Sequence, residues 1–282
     1  MKLIDGKALA TEVRASLKND VQELKSKGIT PILAVILVGD DKASQIYVRN
    51  KNKACQDVGI KYEEFLLDKD TTMEKLLSLI ETLNNREDVY GILLQSPLPK
   101  HLNADEAFRK ISPEKDVDGF NPVNVGRLCL KQDGFVSCTP AGIMKMFEKY
   151  NINLEGKNAV VLGRSNIVGK PMSLCLLNND ATVTICHSKT QNLAEITKNA
   201  DILVVALGKP KFVTKDMVKD GAVVIDVGMN RNEEGKLVGD VDFENVKQKV
   251  SYITPVPGGV GPMTIAMLMN NVIKATEEQT RK

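Results

Sequence analysis

Residues 158–171 read NAVVLGRSNIVGKP. Four apolar residues in a row are too few for a buried helix, and the glycine that ends them marks a strand running into a tight turn. The second glycine stands six positions on, with a proline just beyond it, so a helix is expected to start there. This is not the common G-x-G-x-x-G spacing, yet its physics suits a nucleotide. Gly163 permits the turn, Gly169 permits close backbone approach, and the first turn of the helix presents N–H groups to phosphate. A plain strand-to-helix turn would look the same in isolation.

Outward from this stretch the pattern repeats. ATVTI, DILVVALG and GAVVIDVG follow as further buried strands with helical segments between them, which is the signature of a doubly wound parallel sheet. The upstream half alternates in the same way: PILAVILVGDD, YEEFLL and VYGILLQSPLP read as strands and TTMEKLLSLIETLN as a helix. The opening MKLIDGKALATEVRASLK, with Leu9, Val13, Leu17, Val21 and Leu24 at helical spacing, reads as the first core helix. Residues 111–138 are rich in turn formers and show no clear period, so the domain crossing is placed at their end. The expected architecture is α/β, two αβα domains with a cleft between them, the second Rossmann-like. Residues 1–138 are expected to form the first domain and residues 139–263 the second, with a long helix at 264–282 ending the chain.

Composition narrows the function. The 282 residues carry 38 basic and 36 acidic side chains, a formal net charge of +2 with no basic arm, which argues against nucleic acid as a partner. The start lacks the apolar block of a signal peptide and no apolar run approaches the ~18 residues of a membrane span, so neither secretion nor membrane insertion is expected. Five scattered cysteines, none in a C-x-x-C pair, suit a reducing cytoplasm and suggest neither a disulfide framework nor a zinc site.

Beyond the second strand of the latter half, a fold selective for NAD usually places an acidic residue for the ribose hydroxyls. Here the chain has ATVTICHSKT instead. Ser188 can donate a hydrogen bond and Arg164 and Lys189 supply positive charge, so NADP is expected rather than NAD. Ser188 or Thr190 could equally serve as a helix N-cap.

YVRNKNKAC at residues 47–55 raises a second question. Residues four apart share a helical face, so Tyr47 and Lys51 point together while Lys53, about 240° round from Tyr47, does not. The pair is either an aromatic ring over a surface lysine or a functional unit. A Tyr-x-x-x-Lys pair acts in short-chain dehydrogenases, but there it lies downstream of the cofactor glycines, and here it lies far upstream. Only two histidines are present, His101 and His187, and neither is well placed as the base that alcohol oxidation requires.

Taken with the Tyr47 and Lys51 helix, the stretches QSPLP, KDVDGF, GRSNIVGKP, CHSKT, DVGMN and PVPGGVGPMT, in that order, closely resemble the family of bifunctional methylenetetrahydrofolate dehydrogenase/methenyltetrahydrofolate cyclohydrolases, the FolD proteins. The resemblance covers nearly the whole chain. It implies NADP-dependent oxidation of methylenetetrahydrofolate and hydrolysis of the methenyl product to 10-formyltetrahydrofolate, in one-carbon metabolism. Hydride departure from a carbon between two nitrogens leaves a cation that nitrogen stabilises, which explains the shortage of histidines. Hydrolysis does require proton transfer.

By resemblance, Lys51 is the acid/base residue of the hydrolysis, Gln95 holds it, and Tyr47 lines the folate ring. Asp118 grips the aminopyrimidine edge of the pterin, and Pro97, Gly258 and Gly259 line the folate site. Gly163, Arg164, Ser165, Gly169, Ser188 and Met229 are the expected cofactor residues, and no metal is implied. Tetrahydrofolate derivatives are the expected small-molecule partners. The family also implies that the C-terminal helix, 264–282, completes the first domain, and that a homodimer forms through the cofactor domains. Two other readings are a dehydrogenase without the hydrolase activity, against which Lys51 and Gln95 argue, and a non-catalytic NADP-binding sensor. Formyltetrahydrofolate synthetase activity, which needs a large further domain, is not expected.

Overall fold

The computed structural model describes residues 1–281. The chain divides into two compact units, unit 1 comprising 1–10 and 139–264, and unit 2 comprising 11–138 and 265–282.

Unit 2 is built on three parallel strands, β2 (Ile32–Val38), β3 (Lys61–Leu67) and β4 (Gly91–Leu94), in the order β3-β2-β4. All seven β2 residues are buried, which explains the unbroken apolar run ILAVILV. Their side chains divide by parity. Leu33, Val35 and Leu37 enter one core with Leu17, Val21 and Leu24 of α1 (Gly6–Ser26), Val48 and Val58 of α2 (Lys42–Val58), and Leu268, Met269 and Val272 of α10 (Val260–Thr280). Ile32, Ala34, Ile36 and Val38 enter the other, with Leu76, Ile80 and Leu83 of α3 (Met73–Asn84) and Ala107 of α4 (Ala104–Lys110). One sheet between two helical layers is the result, each buried Leu or Ile contributing about 1.5–3 kcal/mol.

The turn-rich region 111–138 holds a helix that its lack of period concealed, α5 (Pro122–Cys129). Its start is marked by local chemistry: the Asn121 side chain accepts from Val123 N–H at 2.8 Å, and a proline occupies the first turn.

Unit 1 carries six parallel strands in the order β1-β11-β8-β7-β5-β6, namely β1 (Lys2–Leu3), β11 (Tyr252–Ile253), β8 (Val223–Asp226), β7 (Ile202–Val205), β5 (Asn158–Leu162) and β6 (Thr182–Cys186). Helices α6 (Cys138–Lys149), α7 (Gly169–Asn178), α8 (Leu193–Thr197) and α9 (Phe243–Val246) connect the strands, with a short antiparallel ribbon of β9 (Asn230–Arg231) and β10 (Leu237–Val238). From β5 the chain steps outward to β6, then returns to β7 on the other side, so strand order reverses at the carboxyl ends of β5 and β7. An open α/β sheet binds ligands at such a reversal.

The first residues depart from expectation. They open not with a helix of the first domain but with β1, whose Lys2 N–H donates to Ser251 O at 2.7 Å and whose successor Ile4 N–H donates to Ile253 O at 2.9 Å. Met1–Ala10 therefore belong with 139–264. A partner some 250 residues away leaves no trace in local periodicity.

Candidate active site

In unit 2 the reversal of strand order lies between β2 and β4, and the residues of interest cluster there. Asp41 caps α2 by accepting Ser44 N–H at 2.7 Å, which starts the helix directly after β2. One helical face then carries Ser44, Tyr47, Val48 and Lys51, and Lys51 is only 8% exposed whereas Lys53 lies in solvent. Lys51 Nζ donates to Gln95 Oε1 at 3.0 Å. Gln95 is itself held: it follows β4, its backbone N–H donates to Ile36 O at 2.9 Å, and its Nε2 donates to Ser96 O at 2.5 Å. That leaves its carbonyl oxygen turned to the ammonium. A buried ammonium is expensive unless hydrogen-bonded, so this contact is a constraint on both side chains.

KDVDGF separates into structural and available parts. Lys115 is buried and donates to the carbonyls of Leu83, Asn84 and Arg86 at 3.3, 2.7 and 2.7 Å. Asp116 accepts from Phe120 N–H, Asn121 N–H and Asn124 Nδ2 at 3.1, 2.8 and 2.8 Å, and burial still pushes its carboxyl up to about 7. Gly119 has φ +71°, and a Cβ there would stand 2.7 Å from Phe135 O. Asp118 remains. Burial raises its pKa, while the charge of Lys51 and a hydrogen bond with the Cys138 thiol draw it back. Tyr47 is half-buried with its phenol pKa raised by desolvation, and Pro97 follows Ser96 through a cis peptide.

Two groups escaped the sequence reading. The Ser44 hydroxyl is buried, 2% exposed, and makes no hydrogen bond among the described residues. Its spacing of three and seven residues from Tyr47 and Lys51 was a usable signal. The Cys138 thiol, whose pKa burial pushes well up, donates to Val117 O at 3.4 Å and meets Asp118 only through the fold. A separate groove of about 850 Å³, lined by Gly39, Arg49, Lys69 and Thr72 among others, lies over the ends of β2 and β3 and includes none of the expected site residues.

In unit 1 the glycine turn lies at the strand-order reversal. Gly163 has φ +123°, its N–H donates to Cys186 O at 2.9 Å, and a Cβ on it would stand 2.3 Å from Ala206 O after β7. A Cβ on Gly169 would stand 2.1 Å from Gly163 O. Both glycines are thus required by close backbone approach. Ser165 Oγ accepts from Val168 and Gly169 N–H at 3.2 and 3.3 Å, which shapes the turn into α7. Because Leu162 pairs with Cys186, Arg164 and Ser188 each stand two residues beyond the same level of adjoining strands, and both are exposed. Thr190 does not cap a helix: its Oγ1 accepts His187 N–H at 2.9 Å, and Asn192 precedes α8. An exposed serine and two cations around a glycine cradle, with no acidic side chain at residues 186–190, fit a 2′-phosphorylated dinucleotide.

Met229 follows β8, is 45% exposed, and lies where a Cβ on Gly261 would be 3.4 Å from its sulfur. Gly258 and Gly259 have a packing reason of their own. Gly258 has φ +100°, and a Cβ on Gly259 would stand 2.4 Å from Pro255 O. All of these belong to unit 1, whereas Tyr47, Lys51, Gln95, Pro97 and Asp118 belong to unit 2. Among the described residues no group of three or more His, Cys, Asp or Glu is arranged for a metal, and no helix is long and apolar enough to cross a membrane.

Comparison with known proteins gives a consistent result. Residues 4–118 match the catalytic domain, and residues 137–280 the NAD(P)-binding domain, of the tetrahydrofolate dehydrogenase/cyclohydrolase description. The bifunctional protein FolD of Campylobacter hominis is 61% identical over 282 residues, covering 100% of this chain and 99% of its own. The crystal structure of the bifunctional enzyme FolD from Campylobacter jejuni superposes with TM-score 0.98 at 54% identity, covering 99% of each chain. The Trypanosoma brucei dehydrogenase-cyclohydrolase, solved with NADP cofactor and an inhibitor, gives TM-score 0.96 at 39% identity, covering 100% of this chain and 99% of that one.

Proposed function

The chain belongs to the tetrahydrofolate dehydrogenase/cyclohydrolase family, and from that premise we infer that it oxidises 5,10-methylenetetrahydrofolate with NADP and hydrolyses the methenyl product to 10-formyltetrahydrofolate. The observation that carries the hydrolytic half is the buried 3.0 Å bond from Lys51 to Gln95.

Gln95 restrains the Lys51 side chain, so the ammonium and its conjugate amine occupy one place through the cycle. Lys51 acts there as the acid/base group: it takes a proton from the water that adds to the methenyl carbon and returns one to the ring nitrogen as the C–N bond breaks. Asp118, whose carboxylate form Lys51 favours, accepts the paired N–H donors of the pterin. Tyr47 presents a half-buried ring one turn before Lys51 for stacking, and Ser44 offers an unspent hydroxyl on the same face. Pro97 adds apolar wall beside Gln95.

NADP when bound supplies the hydride acceptor. Gly163, Ser165 and Gly169 form the turn for its phosphates, Arg164 and Ser188 hold the 2′-phosphate, and Met229 covers the far side of the site. That the T. brucei relative was solved with NADP supports this choice. Two copies join along β6, the outer strand of the unit 1 sheet, where Ile185 is 41% exposed, with Leu177 of α7 56% exposed. The reducing cytoplasm suits the five free cysteines.

An absorbance assay with methylenetetrahydrofolate and either NADP or NAD, following reduced nicotinamide and methenyl absorbance together, tests the reading. NADP-dependent reduction with little methenyl accumulation is expected. Accumulation would remove the hydrolase activity from the assignment, and absence of reduction with either cofactor would overturn it.

A further inference from the structure

Two buried carboxylates stand at the carboxyl edge of the unit 1 sheet, and the reaction as described uses neither. Asp226 closes β8 at 3% exposure, and Asp240, shortly after β10, has none. Asp226 Oδ1 accepts the N–H groups of Gly228 and Asp240, each at 2.9 Å, and its Oδ2 accepts that of Val241 at 2.9 Å. Asp240 Oδ2 accepts from Leu207 and Gly208 N–H at 2.6 and 2.9 Å, and its Oδ1 from Lys209 N–H and Asn230 Nδ2, each at 2.8 Å. Three consecutive backbone N–H groups thus converge on one carboxylate, an arrangement that holds an anion and is itself shaped by it.

The packing is reciprocal. A Cβ on Gly228 would stand 2.4 Å from the Asp240 carboxyl, and one on Gly239 would stand 1.8 Å from Asp226 Oδ2. The two aspartates therefore tie together three segments that share no secondary structure: 206–209 after β7, 227–230 after β8, and 239–241 on the return from the ribbon. The first lies against Gly163 where strand order reverses, and the second carries Met229. With the 2′-phosphate end expected over β6 at Ser188, the other end of a dinucleotide crossing the reversal extends over β7 and β8.

Resting on the reading that this edge receives NADP, we propose that Asp240 is a positioning residue for the cofactor: its carboxylate fixes the backbone of 207–209, and through Asn230 the Met229 turn, in the form that accepts the nicotinamide end. A carboxylate suits this task because it presents acceptors only, and four donors meet it. Segments ordered before binding need not be ordered by it, so the effect falls on cofactor affinity.

The test is Asp240→Asn in the full chain, an isosteric change that turns an NH2 toward backbone donors. Four quantities are measured: amide hydrogen exchange at 206–209 without cofactor, NADP affinity by calorimetry, cofactor-free hydrolysis of methenyltetrahydrofolate, and thermal unfolding. About tenfold faster exchange at 207–209 and about tenfold weaker NADP binding are expected, with hydrolysis within twofold of the parent. A folded variant with unchanged exchange, or with faster exchange and unchanged NADP affinity, overturns the proposal. Should Asp240→Asn fail to fold, Asn230→Ala decides, because it leaves the carboxylate with its three backbone donors. About threefold weaker NADP binding supports the proposal and undiminished binding overturns it. If the parent protein itself binds no NADP, it is the cofactor reading that falls.

Discussion

Replacing Lys51 by methionine separates the two activities. The side chain is 8% exposed and, among the described residues, its one hydrogen bond is the 3.0 Å contact to Gln95. Losing a bond to a charged group costs about 1.5–3 kcal/mol, and leaving the buried Gln95 oxygen without a donor costs about 1–3 kcal/mol. Against this, an ammonium no longer has to be taken from water, a penalty of several kcal/mol per ion, and methionine follows the same unbranched path. The opposing contributions leave a net change within about 2 kcal/mol, or a melting shift of no more than ~8 °C for a chain this size. Catalysis does not cancel in this way. Proton transfer by a placed side chain is worth about 10²–10⁴ in rate, so methenyl hydrolysis should fall at least ~100-fold while NADP reduction continues and methenyl absorbance accumulates. The Asp118 carboxyl, losing the charge that draws its pKa down, should titrate higher still. A folded Lys51→Met protein that hydrolyses methenyltetrahydrofolate within threefold of the parent would refute the assignment.

Gln95→Leu strands the buried ammonium and should lower stability by about 1.5–3 kcal/mol while reducing hydrolysis; denaturant unfolding and the same assay check both, and unchanged stability would deny the restraint. Arg164→Ala should weaken NADP binding about tenfold or more and leave NAD binding as it was, so equal losses for both would move Arg164 away from the 2′-phosphate. Gly163→Ala combines φ +123° with a Cβ at 2.3 Å from Ala206 O, and should cost at least about 2 kcal/mol by thermal unfolding and abolish NADP binding. Asp226 has its carboxyl raised by burial from 3.8 to about 6, so folding favours its protonated form. Its contribution is full below about pH 4 and is lost as pH rises through 6, a change of about 3 kcal/mol for about 2 units. Asp226→Asn removes that dependence, and the stability of the parent minus that of the variant should fall between pH 4 and 7; a constant difference would contradict it.

Much of the fold was legible because its signals are local. ILAVILV is apolar at every position, and only a strand covered on both faces buries all seven side chains. Helical spacing alone placed Tyr47 with Lys51 and turned Lys53 away, and the buried and exposed positions of α2 follow that spacing. Gly163 and Gly169 announced a close approach before its partner was known. β1 and α5 were missed for different reasons. The two-residue β1 exists only because Ser251 and Ile253 receive the N–H groups of Lys2 and Ile4, whereas α5 is a single short helix announced by Asn121 and Pro122 rather than by period.

The sequence by itself determined alternating strands and helices, a glycine cradle without an acidic ribose partner, and a Tyr–Lys helix face, since each depends on residues within a turn or two of one another. Tertiary structure decided what those parts meet. It joined Lys51 to Gln95, 44 residues away, let the charge of Lys51 and the thiol of Cys138 act on Asp118, and set Asp240 on the N–H groups of 207–209. The reason is desolvation: a buried ammonium or carboxylate is stable only where the fold brings it donors or acceptors, and those come from strands and loops whose nearness is set by sheet order, which no local spacing encodes.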